Sequence, residues 1–324
     1  CIRDSNNDNG DESGSTISAI ARVNTDGSGI YLKAEYNPSD FYTENADGTI
    51  VLNKEAWGGK VWGTPGISSI QHVQMMQLAK EMGLNWEKYN GGAKDPNTMY
   101  YVETISNYDA AINRNAEILD GGILWEPQYT MIASSEIYQP FLLTNDLFPG
   151  HTCCVVAGLD SYMEANPEVT VAFLAAYKQA VDYINAALAD KSSAEYQRLI
   201  EICITYTTGL TEEQIVSALD NIVYKFSDDN ITGSLDDLVT DIADLESNLA
   251  NMGAITTDIA DLGFSSSTEF AEMLVDDSYL TQAVNGEATN VGNVSLTVTA
   301  ITGDVHQIGI RVAQELGYFE QYGL

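Results

Sequence analysis

The sequence predicts an α/β protein in which strands and helices alternate and a long helical segment follows. Between residues 59 and 135, short apolar runs alternate with stretches of helical periodicity, which is typical of parallel βαβ units. After Gly158 the apolar spacing becomes almost wholly helical. The length of 324 residues predicts either one large domain or two medium ones.

The chain is predicted to begin with a disordered polar tether over residues 1–15. Two strands follow at Ile17–Val23 and Gly29–Lys33, joined by a turn, and residues 36–56 read as a loop. The remaining elements of this half are strands at Lys60–Gly63, Met99–Ile105, Ile123–Trp125, Tyr138–Thr144 and Thr152–Gly158, and helices at Ser68–Met82, Asp109–Leu119 and from Tyr129.

The second half is predicted to be helical, beginning at Pro167, a residue that favours the first turn of a helix. Helical spacing covers Val169–Ala189, Ala194–Thr207, Glu212–Leu219, Leu235–Asn251 and Ser267–Val275. A last strand is expected at Val294–Ile301 and a last helix at His306–Leu316. We expect this strand either to pair with the sheet that begins near residue 17 or to open a second copy of the domain.

Charge excludes several classes of partner. The chain has 14 Lys and Arg against 47 Asp and Glu, for a formal net charge of −33. Such a surface repels nucleic acid and anionic membranes. The acidic residues are spread along the chain, which fits a solvated surface in a salty medium that screens self-repulsion. No apolar run approaches the ~20 residues of a membrane span.

The four cysteines form neither a CxxC pair nor a metal-ligand pattern. Cys153 and Cys154 are adjacent, so a regular strand would place their side chains on opposite faces, and free buried thiols are expected. Two interpretations of Cys1 remain open. It is either the lipid-modified first residue of a processed lipoprotein or simply the residue at which a fragment begins. Three histidines without paired spacing predict no metal centre.

The sequence lacks the common catalytic motifs. It contains no phosphate-binding loop, no G-x-S-x-G nucleophile elbow, no H-E-x-x-H zinc motif and no dinucleotide-binding glycine pattern. This absence favours a binding protein that uses no cofactor over an enzyme.

The turn from Thr64 to Ser69 is the first candidate site. It connects a strand to a helix, so helix N-terminal N–H groups and serine hydroxyls point at open space, an arrangement that binds anions. Thr64, Gly66, Ser68 and Ser69 are therefore candidate ligand-binding residues. The alternative is that Ser68 or Ser69 only caps the helix.

Trp125 and Glu126 form the second candidate, because they follow the carboxyl end of a strand, where open α/β sheets bind ligands. Trp125 would stack on a solute, and Glu126 would accept a hydrogen bond either from an amine or from a closing lobe. The alternative places Trp125 in the core and uses Glu126 to cap the next helix. His306, at the start of the last helix, is either a ligand residue or a capping or solvent-facing imidazole.

Three segments together resemble a known family: GGKVWGTPGISSIQHVQMMQLAKEMGL (58–84), DGGILWEPQYT (120–130) and GHTCCVVAGLDSYMEANPEVTVAFLAAYKQAVDYIN (150–185). They look like the type 2 periplasmic binding proteins of the nitrate, taurine, aliphatic-sulfonate and thiamine-precursor ABC importers. The resemblance covers roughly residues 15–324.

One departure concerns VTAITGDVHQIGIRVAQELGYFEQYGL (298–324), which resembles the amino-terminal opening of that family but comes last here. In that position Asp304 and His306 would belong to the first ligand loop. A fragment spanning two tandem copies, a circular permutation, or a gene truncated at both ends would explain the order, and we favour the first.

The resemblance implies a two-lobed type 2 periplasmic-binding-protein fold with a helical tail. Residues 59–141 would form lobe II, whereas 16–58 and 142–324 would form lobe I, with 294–324 as the family's N-terminal βα unit. The chain would cross between lobes near 57–63 and 139–145. A cleft between the lobes would close on the solute by a hinge motion.

The resemblance also implies a function: an extracytoplasmic component of an ABC importer that hands a small polar or anionic solute to permease subunits. Candidate solutes are a sulfonate, taurine, nitrate, bicarbonate or a pyrimidine precursor. Two alternatives are an enzyme like those of thiamine-pyrimidine synthesis on the same fold, and a sensory ectodomain.

Overall fold

The computed structural model describes residues 16–104, 115–207 and 209–324. The predicted tether over residues 1–15 and most of the predicted helix Asp109–Leu119 lie outside these residues. In the described part of the chain, no helix is both long enough and apolar enough to cross a membrane.

Strands and helices alternate over the first half and helices dominate the second, which confirms the α/β prediction. The strands are β1 (Ile17–Asp26), β2 (Ser28–Lys33), β3 (Tyr42–Glu44), β4 (Ile50–Leu52), β5 (Val61–Thr64), β6 (Asn85–Lys88), β7 (Thr98–Glu103), β8 (Gly121–Trp125), β9 (Tyr138–Leu143), β10 (Thr152–Leu159) and β11 (Ile222–Tyr224). The helices are α1 (Lys54–Trp57), α2 (Ile70–Glu81), α3 (Gln128–Met131), α4 (Asp160–Ala165), α5 (Pro167–Ala189), α6 (Ala194–Tyr206), α7 (Glu212–Asp220), α8 (Asp236–Asn251), α9 (Ser267–Leu274), α10 (Ser278–Val284), α11 (Ile308–Glu315) and α12 (Tyr318–Gln321).

The chain divides into two compact units. We call Asp26–His151 with Ser217–Asn221 the six-stranded unit. The helical unit contains the described residues up to Thr25 together with Thr152–Val216 and Ile222–Leu324. The lobe expected at 59–141 lies inside the six-stranded unit, which extends beyond it at both ends.

The sheet of the six-stranded unit has the order β6-β7-β5-β8-β2-β9. Its first four strands are parallel, whereas β2 runs antiparallel to both β8 and β9. The sequence analysis assigned β2, as part of residues 16–58, to lobe I. In the structure β2 pairs with β8 and therefore belongs to the six-stranded unit, because a strand joins the sheet that satisfies its backbone hydrogen bonds.

Both faces of this sheet are covered by apolar side chains. Ile30 and Leu32 of β2 contribute to one core, whereas Tyr31 between them contributes to the other. In β5, Trp62 contributes to the same core as Ile30 and Leu32, whereas Val61 contributes to the core of Tyr31. Alternate residues of a strand point to opposite faces, so these runs of consecutive apolar residues are what a sheet buried on both sides requires.

The helical unit is organised differently. Its sheet has three strands in the order β10-β1-β11, with β1 in the centre. Helix α5 begins at Pro167 and buries residues on most of its surface, among them Phe173, Leu174 and Val181. Helix α5 therefore lies in the interior of this unit, since a helix that is apolar on most of its surface is buried by its neighbours.

The predicted strand Val294–Ile301 is wrong. This stretch has no regular secondary structure and is largely exposed. The neighbours of β1 in the sheet are β10 and β11. The backbone N–H of Val294 instead donates to the carbonyl oxygen of Gly323 over 2.8 Å. Alternating apolar residues indicate that a segment can form a strand, but a strand also requires a partner edge.

Two smaller differences concern the first strands and the predicted loop. Strand β1 continues to Asp26, so the turn into β2 is short and uses positive φ at Asp26 (60°) and Gly27 (83°). The region predicted as a loop at 36–56 contains the hairpin β3–β4, whose strands pair from Tyr42–Leu52 to Glu44–Ile50.

Candidate functional site

The ends of β5 and β8 lie side by side at one edge of the six-stranded sheet. These strands are parallel, and Gly63 pairs with Gly122. Their carboxyl ends, Thr64 and Trp125, therefore reach the same edge. Ser28, the first residue of β2, is opposite Trp125 in the antiparallel ladder. The structure thus brings together the two segments that the sequence selected separately.

The turn between β5 and α2 depends on Gly66. Its φ of +146° is a conformation that residues with a side chain rarely adopt. The Gly66 carbonyl oxygen accepts hydrogen bonds from the N–H of Ser69 over 3.0 Å and from its Oγ over 2.8 Å. The Ser69 Oγ in turn accepts from the N–H of His72 over 3.2 Å, so Ser69 is the N-cap of α2. The capping role that the alternative gave to Ser69 is therefore present.

Several donors of this helix end remain available. Within the described residues, no hydrogen bond uses the backbone N–H groups of Ser68, Ile70 and Gln71. Ser68 itself is exposed, and Ser69 is buried. Free N–H groups at the positive end of a helix dipole favour an acceptor or an anion.

A carboxylate already lies beside the turn. Glu103 ends β7, and its pKa is lowered, first by the hydrogen bond from Lys88 and to a smaller extent by the backbone N–H of Ile67. The Lys88 Nζ lies 2.9 Å from Glu103 Oε1. The turn thus stabilises a negative charge, and Lys88 forms an ion pair with it.

Thr64 is buried and contacts His72 rather than open space. Its Oγ1 lies 3.0 Å from His72 Nδ1, and the indole N–H of Trp86 donates to His72 Nε2 over 3.2 Å. Because Nε2 accepts, the proton of the neutral ring is assigned to Nδ1, which donates to Thr64. Burial lowers the pKa of His72 to about 4. His72 is thus a neutral, packed side chain that orients Thr64 at the end of β5.

Trp125 and Glu126 occupy different environments. Trp125 is half-buried at the end of β8, whereas Glu126 is fully buried. The Glu126 carboxylate accepts hydrogen bonds from the N–H and Oγ1 of Thr130, each over 3.0 Å, and from Asn221 Nδ2 over 2.6 Å. Glu126 therefore binds the first turn of α3, whose N-cap residue is Pro127, and anchors the returning segment Ser217–Asn221. This role is close to the capping alternative for Glu126, whereas Trp125 is not in the core.

A side-chain hydrogen bond joins α2 to the strand ends. Gln71, in the first turn of α2, donates from Nε2 to the Oγ of Ser28 over 2.9 Å. Both residues are buried. Since Ser28 is opposite Trp125, this bond fixes the N-terminus of α2 next to the end of β8.

Asp304 and His306 belong to the helical unit. Both are buried, and Asp304 Oδ1 accepts from the backbone N–H of His306 over 2.8 Å and from its Nδ1 over 2.9 Å. Asp304 is thus the N-cap of the short turn Val305–Gln307 that precedes α11. The pKa of Cys154 is lowered, first by its hydrogen bond with Cys153 and to a smaller extent by its electrostatic interaction with His306.

Several residues at the sheet edge and around His306 were not predicted from the sequence. Ser28 and Gln71 carry no motif, and their contact depends on how α2 packs on the sheet. Cys153 and Cys154 were expected on opposite faces of a strand, but their Sγ atoms lie only 3.9 Å apart. The pair of adjacent cysteines was a usable signal, although the sequence does not indicate the bulge that brings them together.

No protein-family model and no curated protein sequence matches the chain. Two solved structures are similar in fold. The periplasmic nitrate-binding protein NrtA from Synechocystis PCC 6803 is 14% identical, with a TM-score of 0.57 over 86% of this chain and 69% of that chain. The zinc-bound ligand-binding component of an ABC-type import system from Staphylococcus aureus is 13% identical, with a TM-score of 0.53 over 84% of this chain and 75% of that chain.

Proposed function

We propose that the chain is the extracytoplasmic solute-binding component of an ABC importer and captures a small polar or anionic solute without changing it chemically. The observation that carries this proposal is the convergence of the ends of β5 and β8 with the N-terminus of α2 at one sheet edge. Open α/β sheets place ligands beyond the carboxyl ends of their strands. The fold shared with two import-system binding proteins supports the same role.

In this proposal the N–H groups of Ser68, Ile70 and Gln71 hold the acceptor or anionic group of the solute. The Ser68 hydroxyl adds a fourth donor, and the half-buried Trp125 ring contacts the remainder of the solute. Thr64, Gly66, Ser69 and Glu126 position these groups through the hydrogen bonds described above. Asp304 and His306 stay predicted ligand residues of the helical unit.

The proposed solute classes are a sulfonate, taurine, nitrate, bicarbonate or a pyrimidine precursor. Each is a small polar molecule, and most offer a compact group of acceptor oxygens that suits helix N-terminal donors. Hinge closure, hand-over to permease subunits and lipid attachment at Cys1 are further parts of the proposal that come from the sequence resemblance.

A thermal-shift screen against these solutes tests the proposal. A solute that binds only the folded state at 1,000 times its Kd stabilises it by roughly 4 kcal/mol. We expect at least one of the solutes to raise the melting temperature in a concentration-dependent manner. If none does so at millimolar concentration, the proposed role is contradicted.

Two matched variants locate the site. Ser68→Asp adds a carboxylate one residue before the N-cap of α2, where it competes with an anionic solute for the helix end. Ser192→Asp makes the same change one residue before Ser193, the N-cap of α6 in the helical unit. We expect the solute-dependent shift to be lost in Ser68→Asp and retained in Ser192→Asp. Equal shifts in both variants would remove the α2 turn from the site.

A further inference from the structure

The second region with chemical potential is the pair Cys153 and Cys154 in β10. The ladder between β1 and β10 shifts register at this point, since Asn24 pairs with Cys154 and Thr25 pairs with Thr152. Cys153 is the extra residue of a β-bulge, and bulges redirect side chains. Both sulfur atoms consequently point to one side, with their Sγ atoms 3.9 Å apart.

The two thiols differ from the third described cysteine in accessibility. Cys153 and Cys154 are free and only partly buried, whereas Cys203 is free and fully buried within α6. Burial raises the pKa of Cys203 to about 12, which keeps it a protonated thiol. Cys203 is therefore an internal control for any reaction of the adjacent pair.

The surroundings favour one thiolate in the pair. The hydrogen bond with Cys153 lowers the pKa of Cys154 most, and the electrostatic interaction with His306 also lowers it, whereas burial and Asp304 raise it by less, so that the net shift is downward. Cys153 retains its proton because the same hydrogen bond and burial raise its pKa. Asp304 holds the His306 ring through Nδ1 at 2.9 Å. One thiolate beside one thiol is the protonation state in which a dithiol attacks a thiophilic atom.

The separation of the sulfurs decides which chemistry fits. A disulfide needs an S–S distance of about 2.05 Å, little more than half of the 3.9 Å that separates these sulfurs. Two thiolates bound to one tetrahedral atom at about 2.3 Å lie roughly 3.8 Å apart, and the narrower bond angles of a pyramidal trivalent arsenic bring them closer than that. From the observed 3.9 Å the two sulfurs need to approach each other only slightly to chelate such an atom, whereas a disulfide needs a much larger approach.

We propose that Cys153 and Cys154 form a dithiol site that chelates one thiophilic atom, with trivalent arsenic in an organoarsenical as the ligand class. Among the described residues, no group of three or more His, Cys, Asp or Glu side chains is placed to hold a metal ion. A centre that needs only two protein sulfurs therefore suits this pair better than a zinc-type ion. The site is independent of the solute site in the six-stranded unit.

The reaction with phenylarsine oxide balances without an oxidant. Two As–S bonds form, the arsenic–oxygen bond breaks, and the oxygen leaves as water with the two thiol protons. Arsenic remains trivalent throughout. The adduct therefore has the mass of the protein plus phenylarsine oxide minus one water.

Native mass spectrometry of the full chain carrying Cys1→Ser tests the proposal. We expect one adduct per chain at stoichiometric reagent, and its loss when either Cys153→Ser or Cys154→Ser is added. The matched variant Cys203→Ser should keep the adduct. An adduct that persists without Cys153, or a native protein that does not react, would overturn the proposal.

A second measurement needs no change to the pair itself. A cyclic dithioarsenite should resist a hundredfold excess of 2-mercaptoethanol but be removed by 2,3-dimercaptopropanol, which offers two sulfurs. Removal by the monothiol would show attachment through one sulfur only and would contradict a chelating site.

Discussion

The two units bury their polar groups in different places. In the six-stranded unit the middle of the sheet is apolar, and buried polar side chains such as Ser28, Thr64 and Glu126 lie at strand ends. In the helical unit the central strand β1 carries buried Arg22 and Asn24 within its length. The first arrangement leaves a polar edge that can meet a solute, whereas the second turns its polar groups toward one another.

Among the substitutions that test this difference between the units, Arg22→Met is expected to lower the free energy of unfolding most. Arg22 is 1% exposed, and its guanidinium lies 3.1 Å from a carboxylate oxygen of Asp228 and 3.1 Å from one of Asp241. Replacement by Met leaves the carboxylate of Asp228, which is 12% exposed, without its charged partner. We expect the free energy of unfolding to fall by ~3–5 kcal/mol in urea titrations.

Arg198→Met is the matched control, because Arg198 forms ion pairs with Glu201 and Glu315 on the surface of the same unit. Exposed ion pairs contribute little to stability. If both Met variants unfold at the same urea concentration as the unmodified protein, β1 does not depend on its internal charge network.

The next largest expected effect is a loss of stability at acid pH, and it comes from His72 of the six-stranded unit. The pKa of His72 is lowered to about 4, whereas an unfolded histidine titrates near ~6.5. The unfolded chain therefore binds the proton first, so this contribution to stability is complete above ~6.5 and is lost as the pH falls toward 4. By linkage, about 2 kcal/mol should be lost between pH 7.5 and pH 5.

His72→Gln separates this effect from the titration of the many carboxylates. The amide can still donate to Thr64 and accept from Trp86, but it does not titrate. We expect the unfolding free energy of the variant to decrease about 2 kcal/mol less than that of the unmodified protein between the two pH values. Parallel pH profiles of the two proteins would contradict a buried neutral imidazole.

The elements that local sequence determines were predicted well. Helix α2 follows a strand-ending Thr-Pro-Gly and the cap Ser69, and α5 begins at Pro167, so turn and cap residues mark both helix starts. The strands β5 and β8 appeared as short apolar runs because both faces of their sheet are buried. Their shared edge was not predicted, and it follows from the parallel pairing of the two strands.

Features that depend on pairing between distant residues were not predictable in this way. Val294–Ile301 alternates like a strand but bonds to the end of the chain instead. The contact of Cys153 with Cys154 requires a register shift against Asn24, and the Gln71–Ser28 bond requires the packing of α2 on the sheet. Sequence periodicity specifies which face of an element is apolar, but not which distant residue it meets.

Intrinsic fluorescence of the tryptophans tests most directly whether solute binds at the polar sheet edge. Trp57 and Trp62 are fully buried, whereas Trp125 is half-buried at the end of β8 and Trp86 is half-buried on β6. A solute identified by the thermal-shift screen should change the emission of the unmodified protein and of Trp86→Phe. The same titration should leave the emission of Trp125→Phe unchanged. A full response in Trp125→Phe together with none in Trp86→Phe would contradict a solute site at the ends of β5 and β8.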